Sequence, residues 1–514
     1  MSASLVFDLA IVPAIALSFA LDAVAVPRAP LTRALLSSML HILSVCFLAS
    51  LAFALTLRPI FSACSALALV GLAAVVSNAK YESLREPFVF TDLSLFSQLF
   101  AHLRLYLPFL SAGKVVAISV GIALVIASFV VERPLPPAAA LPVWLAVALS
   151  FALATVIATR LPLTLEPSTD QCRHGFFAVF VAYLFNGLRP ATFRRFRECL
   201  AGSPFATGKP IRRPDVVLIQ SESFFDARRL GPSIEPGLLR CFDQACSEAV
   251  WYGEMTVPAW GANTMRTEFA VLTGTASQSL GYARFYPYAF VRQRLASLPA
   301  LFGRGGYETV AIHPYYADFF GRNRVFPLLG FERFLDIGHF ASVSRAGPYV
   351  SDAAVGEAIV MELDTAELER PRFVFAITME NHGPLHLETV QPGEATSRHT
   401  LGNDAQWRDL TAYLRHIENA DAMLGRLLDH LSSSDRQTVV CFYGDHVPGL
   451  SKIFDGLDVN PEHSDYFIWR NFEVDKPERQ DLQAEMLGGL LLQATQQGSG
   501  RSRMDQSRAP EKTP

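Results

Sequence analysis

The chain of 514 residues carries 44 Lys and Arg against 48 Asp and Glu, a net charge of −4 that excludes nucleic-acid binding by bulk positive charge. Its 51% apolar share and mean hydropathy of +0.26 exclude an ordinary water-soluble enzyme as the whole protein. The length calls for more than one folding unit.

The apolar excess lies in the first third. Five runs, at 5–26, 35–57, 60–76, 115–131 and 141–158, are read as bilayer spans, for which about 20 apolar residues are needed. A signal peptide accounts for one such run and not for five. The expected N-terminal unit is a five-helix transmembrane region over 1–160, whose odd number of spans puts the chain ends on opposite sides. Basic residues fall in the first loop (Arg28, Arg33), the second (Arg58), the third (Lys80, Arg85, Arg104) and the fourth (Arg133). Taken literally, this small bias leaves the C-terminal part in the cytoplasm. The third loop, "SNAKYESLREPFVFTDLSLFSQLFAHLRLY" (77–106), mixes charges with Leu and Phe at near-helical spacing. It reads either as an interfacial segment or as a polar connector.

After Arg160 the composition changes, and residues 161–213 read as a linker. In it, "FFAVFVAYLFNGL" (176–188) is too short to span, and "RPATFRRFRECL" (189–200) is basic enough to lie against anionic headgroups. A compact domain is expected over 214–493, followed by a polar, disordered tail over 494–514. The seven cysteines show no CxxC or zinc-type spacing, so free thiols are the default. No internal repeat is present.

Within the domain, "DVVLIQ" (215–220), "ETVAIHP" (308–314), "FVFAIT" (373–378) and "TVVCFYG" (438–444) are near-continuous apolar runs, the pattern of parallel strands covered on both faces. Between the last two, Leu410, Leu414, Ile417, Leu424, Leu427 and Leu428 fall at helical spacing. This alternation predicts an α/β domain with a mostly parallel sheet, whose ligands sit beyond the carboxyl ends of the strands. Each strand-like run ends in polar residues: "IQSESFFD", "IHPYYADFFGRNR", "ITMENHGP" and "FYGDHVPG".

A lone Asp-His pair such as Asp445-His446 is ordinarily a solvated loop, and a lone Glu222 ordinarily stabilises a helix N-terminus. Brought together by neighbouring strands, these two carboxylates and one imidazole suit a divalent cation of borderline hardness, Zn²⁺ or Mn²⁺, with Mg²⁺ less favoured. In "VPAWGANTMRTEFAVLTG" (257–274), Thr264 follows a Gly- and Asn-containing turn and precedes a helical run. It reads as a metal-activated nucleophile among free helix N–H groups, or as a plain helix N-cap. Arg322 suits bidentate phosphate recognition. His313 and His382 are either structural or part of the same site, with His382 placed to stabilise a phosphoryl oxygen or protonate a leaving group.

These segments, in this order, resemble the lipoteichoic acid synthase-like branch of the alkaline phosphatase–sulfatase superfamily, which includes phosphoglycerol transferases acting on lipoteichoic acid or periplasmic glucans. "GANTMRTEFAVLTG" looks like the family's nucleophile segment. "HPYYADFFGRNR", "TMENHGP" and "YGDHVP" look like its phosphate- and metal-binding segments, and "NAKYESLREPFVFTDL" like a stretch common in its members. The resemblance implies five spans followed by a sulfatase-like α/β domain. It implies Glu222, Thr264, Asp445 and His446 as ligands of one divalent metal, with Thr264 also the nucleophile. His313, Arg322 and His382 match residues around the phosphoglycerol, and Phe320 stands where some relatives have Trp.

It further implies a multi-pass protein of the bacterial cytoplasmic (inner) membrane with an extracytoplasmic, periplasmic catalytic domain, against the loop-charge reading. The expected reaction moves phosphoglycerol from a phospholipid, phosphatidylglycerol, to a glycan or glycerol-phosphate acceptor through a phospho-threonine intermediate. The alternatives are a phosphoethanolamine transferase, a sulfatase-like phosphodiesterase or hydrolase, and a non-catalytic lipid- or partner-binding membrane protein. No C/S-x-P-x-R segment stands at the nucleophile position, which argues against a sulfatase proper. A transporter would have few charges at mid-membrane, with only Asp22 and His41 as candidates.

Overall fold

A helix apolar on every side has no face to offer water, and the N-terminal third folds into helices of this kind. The computed structural model describes residues 3–95, 111–136, 140–341, 343–367, 370–473 and 476–496. The last part of the third-loop segment, with Arg104, and nearly all of the expected tail lie outside the described residues. The first helices are α1 (Ala3–Asp22), α2 (Leu35–Thr56), α3 (Pro59–Leu84), α4 (Ala112–Val131) and α5 (Ala140–Ala158).

The five expected spans are not all supported. Among the described residues α2, α3 and α4 are long and apolar enough to cross a membrane. The described apolar parts of α1 and α5, Leu9–Asp22 and Pro142–Ala158, fall short of that length. At the end of α1, Asp22 is buried 2.5 Å from Arg33 and accepts a 2.6 Å hydrogen bond from the Phe177 amide, so the helix stops on a polar anchor. The run set aside as too short becomes α7 (Phe176–Gly187), which meets the basic helix α8 (Pro190–Ala201) at 67°; as one bent unit the pair would be a fourth span. Ahead of them lies the short α6 (Pro167–His174). Helix α4, with hydropathy 2.5, buries no residue inside the protein, which leaves an apolar phase as the medium suited to its surface. The Arg194, Arg195 and Arg197 side chains of α8 are exposed.

The C-terminal unit is an α/β domain with one nine-stranded sheet. Its strands are β1 (Asp215–Ser221), β2 (Trp251–Thr256), β3 (Glu308–Ile312), β4 (Arg333–Leu335), β5 (Arg372–Ile377), β6 (Thr438–Gly444), β7 (His463–Arg470), β8 (Glu478–Arg479) and β9 (Leu482–Gln483). The order is β8-β2-β7-β6-β1-β5-β3-β4, with β9 also on β2. The sheet is mixed, because β7 runs antiparallel to both β6 and β2; the other pairings are parallel. The four strands read from the sequence are the adjacent parallel strands β6-β1-β5-β3.

Alternation along these strands feeds two cores. Val216, Leu218, Phe373, Phe375, Val439 and Cys441 pack to one side with helix α9 (Thr264–Thr273). Val217, Ile219, Val374, Ala376, Val440 and Phe442 pack to the other, against the apolar stripe of α11 (Arg408–Ser432). Helix α10 (Arg322–Leu329) follows β3. All seven cysteines are free; Cys441 is buried in β6 and Cys172 is exposed.

Helix α11 also buries His416 between two carboxylates, Glu380 Oε1 at 2.9 Å and Glu388 Oε2 at 2.9 Å. Asn419 bonds the same Glu380 oxygen, Arg415 pairs with Glu388, and Asp352 lies beyond Glu380 with its amide on the other oxygen. Burial opposes the imidazolium, but the two glutamates raise it from the ordinary 6.5 to about 9. A base held up in the fold stabilises fully below its unfolded value and loses that contribution as pH rises through about 9. Thermal unfolding in detergent should therefore show stability falling from pH 6.5 to above 9, by up to roughly 3 kcal/mol from this group. His416→Gln should flatten that fall, and an unchanged slope would remove His416 as its source.

Candidate active site

Parallel pairing aligns the carboxyl ends of β5, β1 and β6, with Gln220 beside Ile377 and Ser221 beside Gly444. Gly444 is required there: a Cβ would sit 1.8 Å from the Phe224 carbonyl oxygen. The chain then leaves both central strands at one point, and Glu222, Asp445 and His446 arrive together, all buried. Ser223, at φ +54°, turns the β1 exit. Its amide donates to Asp445 Oδ1 at 2.8 Å, as does the His446 amide at 2.9 Å. The Glu222 amide donates to Thr378 Oγ1 at 3.1 Å, which ties in the end of β5.

His446 Nδ1 lies 3.0 Å from the Val447 carbonyl oxygen. A carbonyl only accepts, so Nδ1 carries a proton, and Nε2 faces Glu222 Oε1 at 3.5 Å and Asp445 Oδ2 at 3.4 Å. Asp445 Oδ2 and His446 Nε2 are buried without hydrogen-bond partners. Three electron-pair donors whose ligand atoms lie within 4.8 Å of one another suit a cation between them. Burial, with Asp445 beside it, pushes the Glu222 carboxyl up to about 8. The group could hold a metal ion, and its donor set fits a divalent one.

Thr264 opens α9 and is buried. The N-cap is Asn263, in the left-handed region at φ +66°, so Thr264 is the first helical residue and not the cap. Two ties bind this segment to the ligand loop: Thr267 Oγ1 donates to the Asp445 carbonyl at 2.7 Å, and the Gly261 amide to the Val447 carbonyl at 3.0 Å.

The expected phosphate-binding residues occupy the far side of β5. Arg322 is 1% exposed, and its fork is already engaged: Nε reaches Glu268 Oε1 at 3.2 Å and Nη2 reaches Oε2 at 2.7 Å. Nη1 lies 3.1 Å from His313 Nε2. Since a guanidinium only donates, His313 is neutral with its proton on Nδ1, and burial and Arg322 hold its pKa well below the usual range. Arg322 is thus built in by Glu268, whereas the spacing alone suggested a fork open to phosphate. Phe320, at φ +56°, lays its ring 5.3 Å from the Arg322 guanidinium and covers it. His382 is half-buried; its Nδ1 lies 2.8 Å from the Gly383 carbonyl, leaving the Nε2 lone pair available.

Three residues that the sequence reading did not single out complete the surroundings. Glu268, four residues after Thr264, also accepts from Tyr288 and from Gln220 at 3.3 Å. Arg266 and Glu86 form a two-point ion pair between α9 and the segment after α3. A Glu inside an apolar helical run is the one signal that could have drawn attention to Glu268.

A family model described as Sulfatase matches residues 214–486. The capsular polysaccharide biosynthesis protein RkpI of Rhizobium meliloti (strain 1021) is 29% identical over 441 residues, 81% of this chain and 78% of its own length. The fold of the integral membrane lipooligosaccharide phosphoethanolamine transferase A (EptA) of Neisseria meningitidis aligns with 90% of this chain and 95% of its own, at 14% identity and a TM-score of 0.51. Streptococcus pyogenes phosphoglycerol transferase GacH, solved with sn-glycerol-1-phosphate, aligns with 59% of this chain and 80% of its own, at 22% identity and a TM-score of 0.47.

Proposed function

This chain belongs to the sulfatase family, and on that premise we propose that it is a membrane-bound, metal-dependent transferase that moves phosphoglycerol from phosphatidylglycerol to a glycan or glycerol-phosphate hydroxyl. The observation that carries this reading is the pair of buried, partnerless donors, Asp445 Oδ2 and His446 Nε2, gathered with Glu222 beside the loop that leads into Thr264. In the proposed site Glu222, Asp445 and His446, with Thr264, would hold one Mn²⁺ or Zn²⁺. Bound there, the ion would polarise a phosphoryl oxygen and lower the pKa of the Thr264 hydroxyl.

Thr264 Oγ attacks phosphorus and gives up its proton; the Oγ–P bond forms, the bond to the diacylglycerol oxygen breaks, and that oxygen takes up the proton Thr264 released. The acceptor hydroxyl then attacks the phosphoglyceryl-threonine, its O–P bond forms and the Oγ–P bond breaks. His382, fixed through Nδ1 on Gly383, receives the acceptor's proton at Nε2 and passes it to Thr264 Oγ, which restores the hydroxyl. Arg322, fixed by Glu268, orients His313 by donating to its Nε2. The N-terminal apolar helices keep this chemistry at a lipid surface, where a lipid donor is presented, and we assign the catalytic unit to the periplasmic face of the inner membrane. A glycan acceptor accords with the capsular polysaccharide name of the Rhizobium relative.

The test is a panel of head-group-labelled lipids given to the full-length protein with Mn²⁺. Label should leave phosphatidylglycerol, and Thr264→Ala should lower transfer by at least ~1,000-fold. Mass spectrometry should find the phosphoglyceryl adduct on the Thr264 peptide. Label moved from phosphatidylethanolamine alone would reassign the head group, and equal activity in the Ala variant would remove Thr264 as nucleophile.

A further inference from the structure

Residues 83–86, just past the membrane part of α3, touch the two loops that form the candidate site. The Ser83 carbonyl oxygen lies against the backbone of both: a Cβ built on Gly261 or on Gly449 would come 3.3 Å from it. Gly261 precedes Thr264, and Gly449 follows His446. These two glycines are also neighbours, a Cβ on Gly261 lying 3.2 Å from the Gly449 Cα, and Gly261 bridges to Pro448. A side chain at either glycine would press on the helix end by a few tenths of an ångström.

Arg85 reaches across the same face. Its guanidinium lies 4.5 Å from the Trp260 ring centroid and bonds Asn460 at 2.7 Å and Asp455 at 3.2 Å. Glu86 takes Arg266 in a two-point pair, Oε2 to Nη1 at 2.8 Å and Oε1 to Nη2 at 3.0 Å, while Arg266 Nε donates to the Phe285 carbonyl at 3.0 Å. Both side chains are largely removed from solvent, at 10% and 16% exposure. Glu86 is fixed in turn by Lys80 at 3.6 Å, and Lys80 by Asp92 at 2.7 Å.

Arg266 stands two residues after Thr264 on α9, so whatever fixes Arg266 fixes the azimuth and advance of that helix. A planar fork held at two points and locked by a third bond sets direction as well as distance, which a single point charge does not. Contacts that served only to join two units could fall anywhere on the domain. These converge on the nucleophile loop, the ligand loop and α9.

We infer that the segment from Ser83 to Asp92 is a positioning element of the active site, with Glu86 holding Arg266 so that α9 presents Thr264 to the Glu222–Asp445–His446 group. This inference rests on the reading of Thr264 as nucleophile. The membrane-proximal segment thereby sets the geometry of the reaction and does more than tether the domain.

The experiment uses the full-length protein in lipid nanodiscs and four variants: Glu86→Gln, Arg266→Lys, the reversed pair Glu86→Arg/Arg266→Glu, and Thr264→Ala. Glu86→Gln should lower kcat by about 10- to 100-fold, the cost of a displacement near 1 Å, with KM for the lipid and metal content within about twofold of wild type. Arg266→Lys keeps the charge, loses one point of contact and should fall between. The reversed pair sets its new Arg beside Lys80 and loses the bond to the Phe285 carbonyl, so it should recover only part of kcat. Amide hydrogen exchange over 257–270, read without substrate, should quicken in Glu86→Gln and slow again in part in the reversed pair.

Unchanged kcat and unchanged exchange in Glu86→Gln would overturn the inference, as would a kcat that falls only in step with lost metal or lost folded protein. Should Glu86→Gln fail to fold, Arg266→Lys decides by the same readouts. Full activity in Thr264→Ala would overturn the functional reading instead, and the exchange data would still report on Glu86.

Discussion

Glu268→Ala should cost about 3–5 kcal/mol, the penalty for leaving a buried charge without its partner. Glu268 is wholly buried and receives Arg322 through two nitrogens, the Tyr288 hydroxyl and the Gln220 amide. Removing the carboxylate strands a guanidinium that is itself 1% exposed, with only His313 left to accept from it. The loss should appear as a fall of roughly 6–15 °C in the apparent Tm. The isosteric Glu268→Gln should cost less, because the amide oxygen still accepts one bond. A double variant, Glu268→Leu/Arg322→Met, separates stability from function. It should regain much of the lost Tm, since apolar residues of similar volume replace a buried pair at little cost, while transfer stays low because His313 has lost its orienting donor. A Glu268→Ala protein that melts with the wild type would show that Arg322 finds another anion.

The second large effect concerns the ligand group. Asp445 has two separate tasks: Oδ1 caps the Ser223 and His446 amides, and Oδ2 faces His446 Nε2 without a partner. Asp445→Asn keeps an oxygen for the cap and removes the charge. It should leave the Tm of metal-free protein within about 2 °C while weakening metal binding by at least ~10-fold and lowering transfer by a comparable or larger factor. His446→Ala, which deletes a donor outright, should retain still less metal. Metal content by mass spectrometry after dialysis, read beside transfer, checks both variants. Wild-type metal content in either would dissolve the proposed site. The N-terminal helices should insert normally in all cases, since none of these side chains lies within them.

What the sequence disclosed followed how local each signal was. Strands β1, β3, β5 and β6 were legible because strands covered on both faces leave long apolar runs, and their polar tips marked the crevice. Strands β2 and β7 were not picked out: β2 alternates buried and half-buried positions, and β7 opens on His463, Ser464 and Asp465. Five spans were expected because hydropathy counts apolar residues, whereas the structure ends α1 at Asp22 and gives the 176–188 run a bend and a buried place. The ligand group came from three residues at strand ends, each visible locally. The roles of Glu268 and Glu86 were hidden for the opposite reason. Their partners lie 54 and 180 residues away, and nothing in a stretch such as "MRTEF" tells whether its Glu meets water or a buried Arg. Arg322 was noticed for its chemistry, but only the fold could reveal that its fork is already engaged.

Helix α7 belongs to both cores at once: Phe176, Phe177, Ala178, Val181 and Ala182 pack among the N-terminal helices, while Val179 and Tyr183 pack into the core of the sheet domain. During synthesis this helix emerges before any strand of the sheet. Its second face meets the Tyr282 and Phe285 rings and must wait uncovered until they are made, roughly 100 residues later, which is on the order of 5–20 s at ~5–20 residues per second. The N-terminal bundle is thus born with an unsatisfied seam that the first half of the catalytic domain closes, so the ribosome's direction makes the membrane part the template on which the enzyme part is assembled.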